Sequence, residues 1–195
     1  MNKTKNILIV CVGGQGSLLA SRLCGNLLMN EGYDVKVSEV HGMSQRGGNV
    51  MTYVRYGDKV HSPIIDVGQA EIIIGFELLE SARWLKYLTP GGKMVTNIQR
   101  INPLPVITGA MEYPEDIAAK MRAAGADVDE FDALAAAITA GSGKAVNVAV
   151  MGRASRHMDF PEAAWLKALA EVVPAKMLDV NIKAFDLGRA DKSAF

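Results

Sequence analysis

The sequence predicts an α/β fold built on a doubly wound, mainly parallel, Rossmann-like sheet. Residues 7–12 are an uninterrupted apolar run rich in β-branched side chains, which is typical of a strand buried on both faces. The glycine-rich turn GGQG at residues 13–16 follows, and apolar residues then recur at helical spacing. A strand, a glycine turn and a helix in this order open a doubly wound domain, so we expect residues 7–12 to be a central strand.

The helix after the glycine turn is expected to begin at Ser17, whose hydroxyl can cap its first turn. Such a turn aims backbone N–H groups and the positive end of the helix dipole at one point, which makes it a ready anion site. One face of the helix is apolar and should pack on the sheet; it consists of Leu19, Ala20, Leu23, Cys24, Leu27 and Leu28.

A second strand is predicted at residues 34–40, with Glu39 near its end, roughly where a dinucleotide-binding fold places the acid that binds ribose. The polar, glycine-rich segment HGMSQRGG at 41–48 then leads into an alternating β pattern at 49–56. The turn signal GDK at 57–59 should return the chain to Val60 and His61. The sequence therefore predicts a β-hairpin inserted into the alternation of strands and helices.

The remainder of the chain continues as an alternating α/β pattern. The segment GSGK at 141–144 lacks both the first glycine of a P-loop and the Ser or Thr after its lysine, so we interpret it as a loop before a core helix. We predict strands at 71–77, 93–97, 106–108 and 126–131, and helices at 78–88, 114–124, 133–140, 145–152, 161–173 and 174–187.

Composition excludes several classes of function. At 195 residues the chain should form a single domain, and its 21 basic and 21 acidic residues cancel, which argues against nucleic acid or a membrane surface as a partner. No apolar run approaches the roughly 20 residues of a spanning helix, and the N-terminus shows no signal peptide, so we expect a cytoplasmic protein. Two cysteines, Cys11 and Cys24, are too few for a four-cysteine iron–sulfur or zinc site within this chain.

The glycine turn is the first candidate binding element, although it departs from the dinucleotide fingerprint G-x-G-x-x-G. Gly13 and Gly16 occupy the second and third glycine positions, but Cys11 stands at the first. Arg46 lies on a loop with little side-chain bulk around it, which suits a bidentate contact with a phosphate or carboxylate. We expect both loops to lie side by side and to bind one anionic ligand; the candidate binding residues are Gly13, Gly14, Gln15, Gly16, Ser17, Ser44, Gln45, Arg46 and Gly47.

Four segments together resemble the gamma-type domain of the 2-oxoacid:ferredoxin oxidoreductases, among them the small (beta) subunits of the indolepyruvate:ferredoxin oxidoreductases. They are IVCVGGQGSLLASRL, SEVHGMSQRGGNVMTYVRYG, AVNVAVMG and KMLDVNIKAFDLG, and the similarity extends over essentially the whole chain, residues 1–195. The pairing of GGQG with SQRGG some thirty residues later is more specific than either part alone. The family usually has glycine at the position of Cys11.

The resemblance implies that an arylpyruvate such as indolepyruvate reacts with coenzyme A to give an arylacetyl-CoA and CO₂, and that ferredoxin is reduced. It implies thiamine diphosphate and iron–sulfur clusters in a larger alpha subunit. The present chain lacks the Gly-Asp-Gly…Asn-Asn thiamine motif, so we expect it to bind no cofactor alone, to have no catalytic or metal-ligating residue, and to be inactive without its partner.

Two alternatives stay open. One is a free-standing oxidoreductase that binds a dinucleotide through Gly13, Gly16 and Glu39. The other is a purely structural subunit whose glycine loops contact the partner and no ligand. A homodimer is a further possibility for the isolated chain.

Overall fold

The computed structural model describes residues 4–42 and 47–190. Within these residues, six strands form one mixed sheet in the order β2-β3-β1-β4-β5-β6. Strands β1, β4, β5 and β6 are parallel to one another, as the fold class predicts. The strands are β1 (Lys5–Val12), β2 (Asp34–His41), β3 (Asn49–Gly57), β4 (Ala70–Gly75), β5 (Leu88–Asn97) and β6 (Asp127–Phe131).

The inserted hairpin is present, but it is formed by β2 and β3. Strand β3 runs antiparallel to both β2 and β1 and lies between them, with Val12 of β1 opposite Asn49 of β3. The predicted return at Val60 and His61 is wrong, because neither residue belongs to a strand. The chain reversal lies at the polar, glycine-rich segment between β2 and β3, whose residues 43–46 fall outside the described residues.

Helices cover both faces of the sheet, as expected of a doubly wound fold. Helices α2 and α4 pack on the face to which Leu8 and Val10 point, whereas α1 and α5 to α8 surround the face of Ile7 and Ile9. The helices are α1 (Ser17–Asn30), α2 (Leu78–Arg83), α3 (Leu104–Ile107), α4 (Ile117–Ala123), α5 (Ala133–Ala140), α6 (Val146–Ser155), α7 (Glu162–Val172) and α8 (Leu178–Arg189).

Strand β1 is central, as the apolar run predicts. It pairs with β3 on one side and β4 on the other, and every residue of the predicted strand from Ile7 to Val12 is buried. Alternate side chains of this one strand therefore enter the two apolar cores on opposite faces of the sheet. In the described part of the chain, no helix combines the length and apolar character needed to cross a bilayer.

Several predicted elements differ from the structure in type or bounds. The strand predicted at 93–97 already begins at Leu88, and the helix predicted at 174–187 begins only at Leu178. The β-branched segment at 106–108 predicts a strand, but Val106 and Ile107 belong to α3, which follows Pro103 at its N-cap. The helix predicted at 78–88 ends at Arg83, and Leu88 already belongs to β5. The helix predicted at 114–124 begins only at Ile117.

Candidate functional site

The glycine turn after β1 is bonded directly to the segment that precedes β3. The N–H of Gly13 donates to the carbonyl oxygen of Gly48 at 2.8 Å, and the N–H of Gly47 donates to that of Gly13 at 3.2 Å. The two predicted loops are therefore in contact at these glycines. The strands that precede the two loops, β1 and β2, are expected to be neighbours, but β3 lies between them. The loops meet because the start of β3 lies beside the end of β1.

Not every predicted binding residue can be placed. Ser44, Gln45 and Arg46 lie outside the described residues, so the convergence of the Arg46 guanidinium on the glycine turn stays a prediction. Gly47 lies beside the turn, as its hydrogen bond to Gly13 shows.

Backbone geometry explains two of the glycines in the turn. Gly14 and Gly16 have φ angles of 104° and 90°, in the left-handed region that side chains disfavour. A Cβ on Gly16 would also overlap the side-chain amide of Asn147, which donates through Nδ2 to the Gly16 carbonyl oxygen at 3.3 Å. Gly16, at the third fingerprint position, therefore serves more than helix–strand packing, because it also leaves space for the Asn147 side chain of α6.

Ser17 does not cap α1 as predicted. The N-cap residue is Gly16, and within the described residues no side chain caps this helix, so its first turn keeps backbone N–H groups for another partner. The Ser17 hydroxyl instead donates to Oε2 of Glu39 at 3.0 Å, and the Thr52 hydroxyl donates to the same oxygen at 3.2 Å. These two bonds fix the Glu39 carboxylate beside the helix N-terminus.

One cleft lies on the Glu39 side of the glycine turn. It has a volume of about 260 Å³ and is lined by the turn itself together with Ser17, Glu39, His41 and Val50. The helix N-terminus favours a negatively charged group here, whereas the Glu39 carboxylate repels one and attracts a hydroxyl or a cation. The cleft therefore combines a donor-rich wall with one fixed acidic acceptor.

A second cleft, of about 320 Å³, lies on the other side of the same turn. It occupies the carboxyl ends of β1 and β4, where the chain winds to opposite faces of the sheet and where open α/β sheets bind ligands. Its polar lining includes Gln15, Gln99, Lys144 and Asn147. Neither Gln99 nor Lys144 is among the site residues predicted from the sequence, although the position of Gln99 just after a parallel strand is a usable signal.

Gln15 serves the shape of the turn. Its Oε1 accepts the Val12 N–H at 2.8 Å, and its Nε2 donates to the Phe76 carbonyl oxygen at 3.0 Å and to Oε1 of Gln99 at 3.2 Å. Asn97 donates to the same Phe76 carbonyl at 3.2 Å. This amide network ties the ends of β1, β4 and β5 together below the second cleft.

Cys11, at the first fingerprint position, is fully buried in the core next to the turn. Burial raises the pKa of its thiol to about 11, although a hydrogen bond with Ser17 acts in the opposite direction. Cys24 is also fully buried, and burial raises its pKa to about 12. Both thiols are therefore protonated at neutral pH and serve as small apolar core groups. In the described ranges, no three His, Cys, Asp or Glu side chains gather so that they could hold a metal ion.

Comparison with known proteins identifies the family. Residues 6–190 match the family model described as pyruvate ferredoxin/flavodoxin oxidoreductase. This chain belongs to that family. A member from Pyrococcus horikoshii, described as indolepyruvate oxidoreductase subunit IorB, is 41% identical over 95% of both chains. The protein of the same description from Methanothermobacter thermautotrophicus is 32% identical and is covered over 93% of its length.

Solved structures show the same fold in more distant proteins. The pyruvate oxidoreductase subunit PORC from Thermotoga maritima superposes with a TM-score of 0.73 at 17% identity, with 95% of each chain covered. A 2-oxoglutarate:ferredoxin oxidoreductase from Magnetococcus marinus superposes with a TM-score of 0.72, covering 97% of this chain but only 31% of that one. The fold of this chain thus occurs both as a separate chain and as part of a longer one.

Proposed function

We propose that this chain is the small subunit of an indolepyruvate:ferredoxin oxidoreductase, as the sequence resemblance implies. The observation that carries the proposal is the 41% identity to an indolepyruvate oxidoreductase subunit over 95% of both chains. The complete enzyme would convert an arylpyruvate and coenzyme A into an arylacetyl-CoA and CO₂, and the electrons released would reduce ferredoxin.

In this proposal the larger alpha subunit holds thiamine diphosphate and the iron–sulfur clusters. Bound there, thiamine diphosphate would supply the electron sink for decarboxylation, and the clusters would carry the electrons to ferredoxin. The residues of the present chain suit neither cofactor. Its two cysteines are buried core residues on β1 and α1, and its sequence lacks a thiamine motif. Its own contribution is to complete the assembly and to bind part of coenzyme A.

The glycine turn and the segment 44–47 would hold a phosphate of coenzyme A. The uncapped start of α1 offers backbone N–H groups, while the fixed Glu39 carboxylate repels a phosphate from the same cleft. A cation is needed to offset that repulsion, and Arg46, on the segment hydrogen-bonded to the turn, is suited to supply it. The proposed ligand contacts therefore combine Gly13, Gly14, Gly16 and Ser17 with Ser44, Gln45, Arg46 and Gly47, whereas Gln15 holds the turn in shape.

The test is Arg46→Ala in the complex reconstituted from both subunits, with Arg22→Ala as the matched control because Arg22 is an exposed arginine on α1. Losing a charge-assisted bidentate contact costs on the order of 1.5–3 kcal/mol, so the apparent KM for coenzyme A should rise roughly ten- to a hundredfold. The affinity between the subunits, measured separately, should stay unchanged. If only subunit affinity falls, the loops are an interface and the structural alternative is correct.

Glu39→Gln distinguishes the remaining alternative. If a phosphate lies in the cleft, removing the negative charge should lower the apparent KM for coenzyme A. If the isolated chain instead binds a dinucleotide through a ribose hydroxyl on Glu39, titration with NADH should give saturable binding that this variant weakens. Binding of that kind would favour a free-standing oxidoreductase.

A further inference from the structure

The segment that follows β5 exposes a set of large apolar side chains. Residues 101–111 contain no charged residue, and within them Leu104, Ile107 and Met111 are 70%, 69% and 64% exposed. These three are spaced three and four residues apart, on and just after α3. We call Leu104, Ile107 and Met111 the apolar platform.

The backbone beneath the apolar platform is held in place by one buried carboxylate. Oε1 of Glu77, the residue before α2, accepts the N–H of Ile101 at 3.0 Å and the hydroxyl of Tyr113 at 2.6 Å. Its Oε2 accepts the N–H of Glu80 at 2.7 Å and so caps α2. Both ends of the segment 101–113 are therefore fastened to the core, while the three platform side chains are exposed. A fixed backbone with exposed apolar groups is preorganised for binding, because less conformational freedom is lost when a partner covers it.

The apolar platform is connected to the second cleft. Gln99, immediately before the segment, lines that cleft and accepts a hydrogen bond from Gln15 of the glycine turn. Leu134 also lines the cleft, and it and Ile138 are exposed on one side of α5. Exposed apolar groups thus occur on α5 at the cleft and on the segment that follows Gln99.

We infer that the apolar platform is the surface on which the larger, cofactor-bearing subunit docks. This inference rests on the proposed function, which supplies the partner. An uncharged, preorganised apolar surface suits a permanent subunit interface more than a transient contact. A partner seated there would lie near the second cleft, because only four residues separate Gln99 of the cleft lining from Leu104. A second copy of this chain would bring no thiamine diphosphate or iron–sulfur cluster to a ligand at that cleft, which favours the larger subunit as the occupant.

The test measures the dissociation constant between the purified subunits for Leu104→Asp and Ile107→Asp. The matched control is Val67→Asp, because Val67 is 60% exposed and lies just before β4 begins, at the end of the sheet opposite to the carboxyl ends of the parallel strands. Charging a central interface residue should weaken association at least about thirtyfold, which corresponds to a hot-spot loss of about 2 kcal/mol. The control should bind like wild type, and all three variants should keep the thermal midpoint of the wild-type chain. The double variant Leu104→Ser/Ile107→Ser repeats the comparison without adding charge.

Each outcome separates the inference from the function on which it rests. If wild type does not associate with the larger subunit at all, the proposed function itself fails. If wild type associates and the platform variants bind equally well, the function stands and the platform inference is overturned. If the isolated chain is a dimer that Ile107→Asp converts to a monomer while affinity for the larger subunit is unchanged, the platform binds a second copy, and the inference is again overturned.

Discussion

Replacing Gly16 by alanine tests how the glycine turn is built. The variant adds a Cβ at a residue whose φ is 90°, and that Cβ would come within 3.2 Å of Cγ of Asn147 and closer still to its Nδ2. Asn147 is held at both ends of its amide, because Nδ2 donates to Gly16 and Oδ1 accepts the Val148 N–H at 2.9 Å. The side chain must therefore give up hydrogen bonds to make room.

The magnitude can be worked out by comparison with Gly14→Ala. Gly14 has a φ of 104°, and among the described residues no atom lies within 4 Å of the Cβ that alanine would add there. Gly14→Ala should therefore lower the free energy of unfolding only by the cost of placing alanine in a left-handed backbone conformation, about 1–2 kcal/mol. Gly16→Ala has the same backbone cost and also loses the two Asn147 hydrogen bonds, which contribute roughly 0.5–1.5 kcal/mol each. We expect a total decrease in the free energy of unfolding of about 2–5 kcal/mol.

Urea unfolding of the purified variants measures these free energies. In the background of Asn147→Ala, the overlap is gone, so Gly16→Ala should cost no more than Gly14→Ala does in wild type. Equal losses for Gly14→Ala and Gly16→Ala, or strict additivity of Gly16→Ala with Asn147→Ala, would refute the claim that α6 sets the identity of this residue.

Three further predictions concern stability and activity. Gly152→Ala should lower the free energy of unfolding, measured with urea, by about 3 kcal/mol, because the added Cβ would overlap a backbone carbonyl of α8. The control Gly25→Ala should be neutral or slightly stabilising in the same assay, because among the described residues no atom lies within 4 Å of the Cβ that it adds. Burial raises the pKa of Asp129, but hydrogen bonds from His157 and Arg153 outweigh it and lower the pKa from 3.8 to about 2. The stabilisation by Asp129 is therefore complete above about pH 4, and the urea-midpoint advantage of wild type over Asp129→Asn should disappear as pH falls toward 2. The purified chain should bind neither iron nor thiamine diphosphate and should show no arylpyruvate-dependent dye reduction; turnover by the isolated chain would contradict the proposed division of labour.

Local periodicity predicts most of the elements, and long-range pairing accounts for what it misses. The apolar run of β1 and the residues of α5 are predictable because their burial follows directly from spacing. Local composition favours a turn at 57–59, but the hairpin depends on β3 pairing with both β1 and β2, which no local signal encodes. Residues 106–108 have β-branched side chains, yet the prolines at 103 and 105 suit a helix start, and the loop fastened by Glu77 overrides strand propensity.

The candidate site shows the same division between local and distant information. The glycine turn is visible in the sequence, but Asn147, which requires glycine at position 16, lies 131 residues away. The sequence pattern predicts that Gln15 binds a ligand, but its side-chain amide is hydrogen-bonded to Val12, Phe76 and Gln99. Because Gln99 leads into the segment that carries the apolar platform, Gln15 links the shape of the turn to the surface proposed for the larger subunit. A partner that shifts this segment would therefore act on the turn through Gln99 and Gln15, so that subunit docking and ligand binding would be coupled.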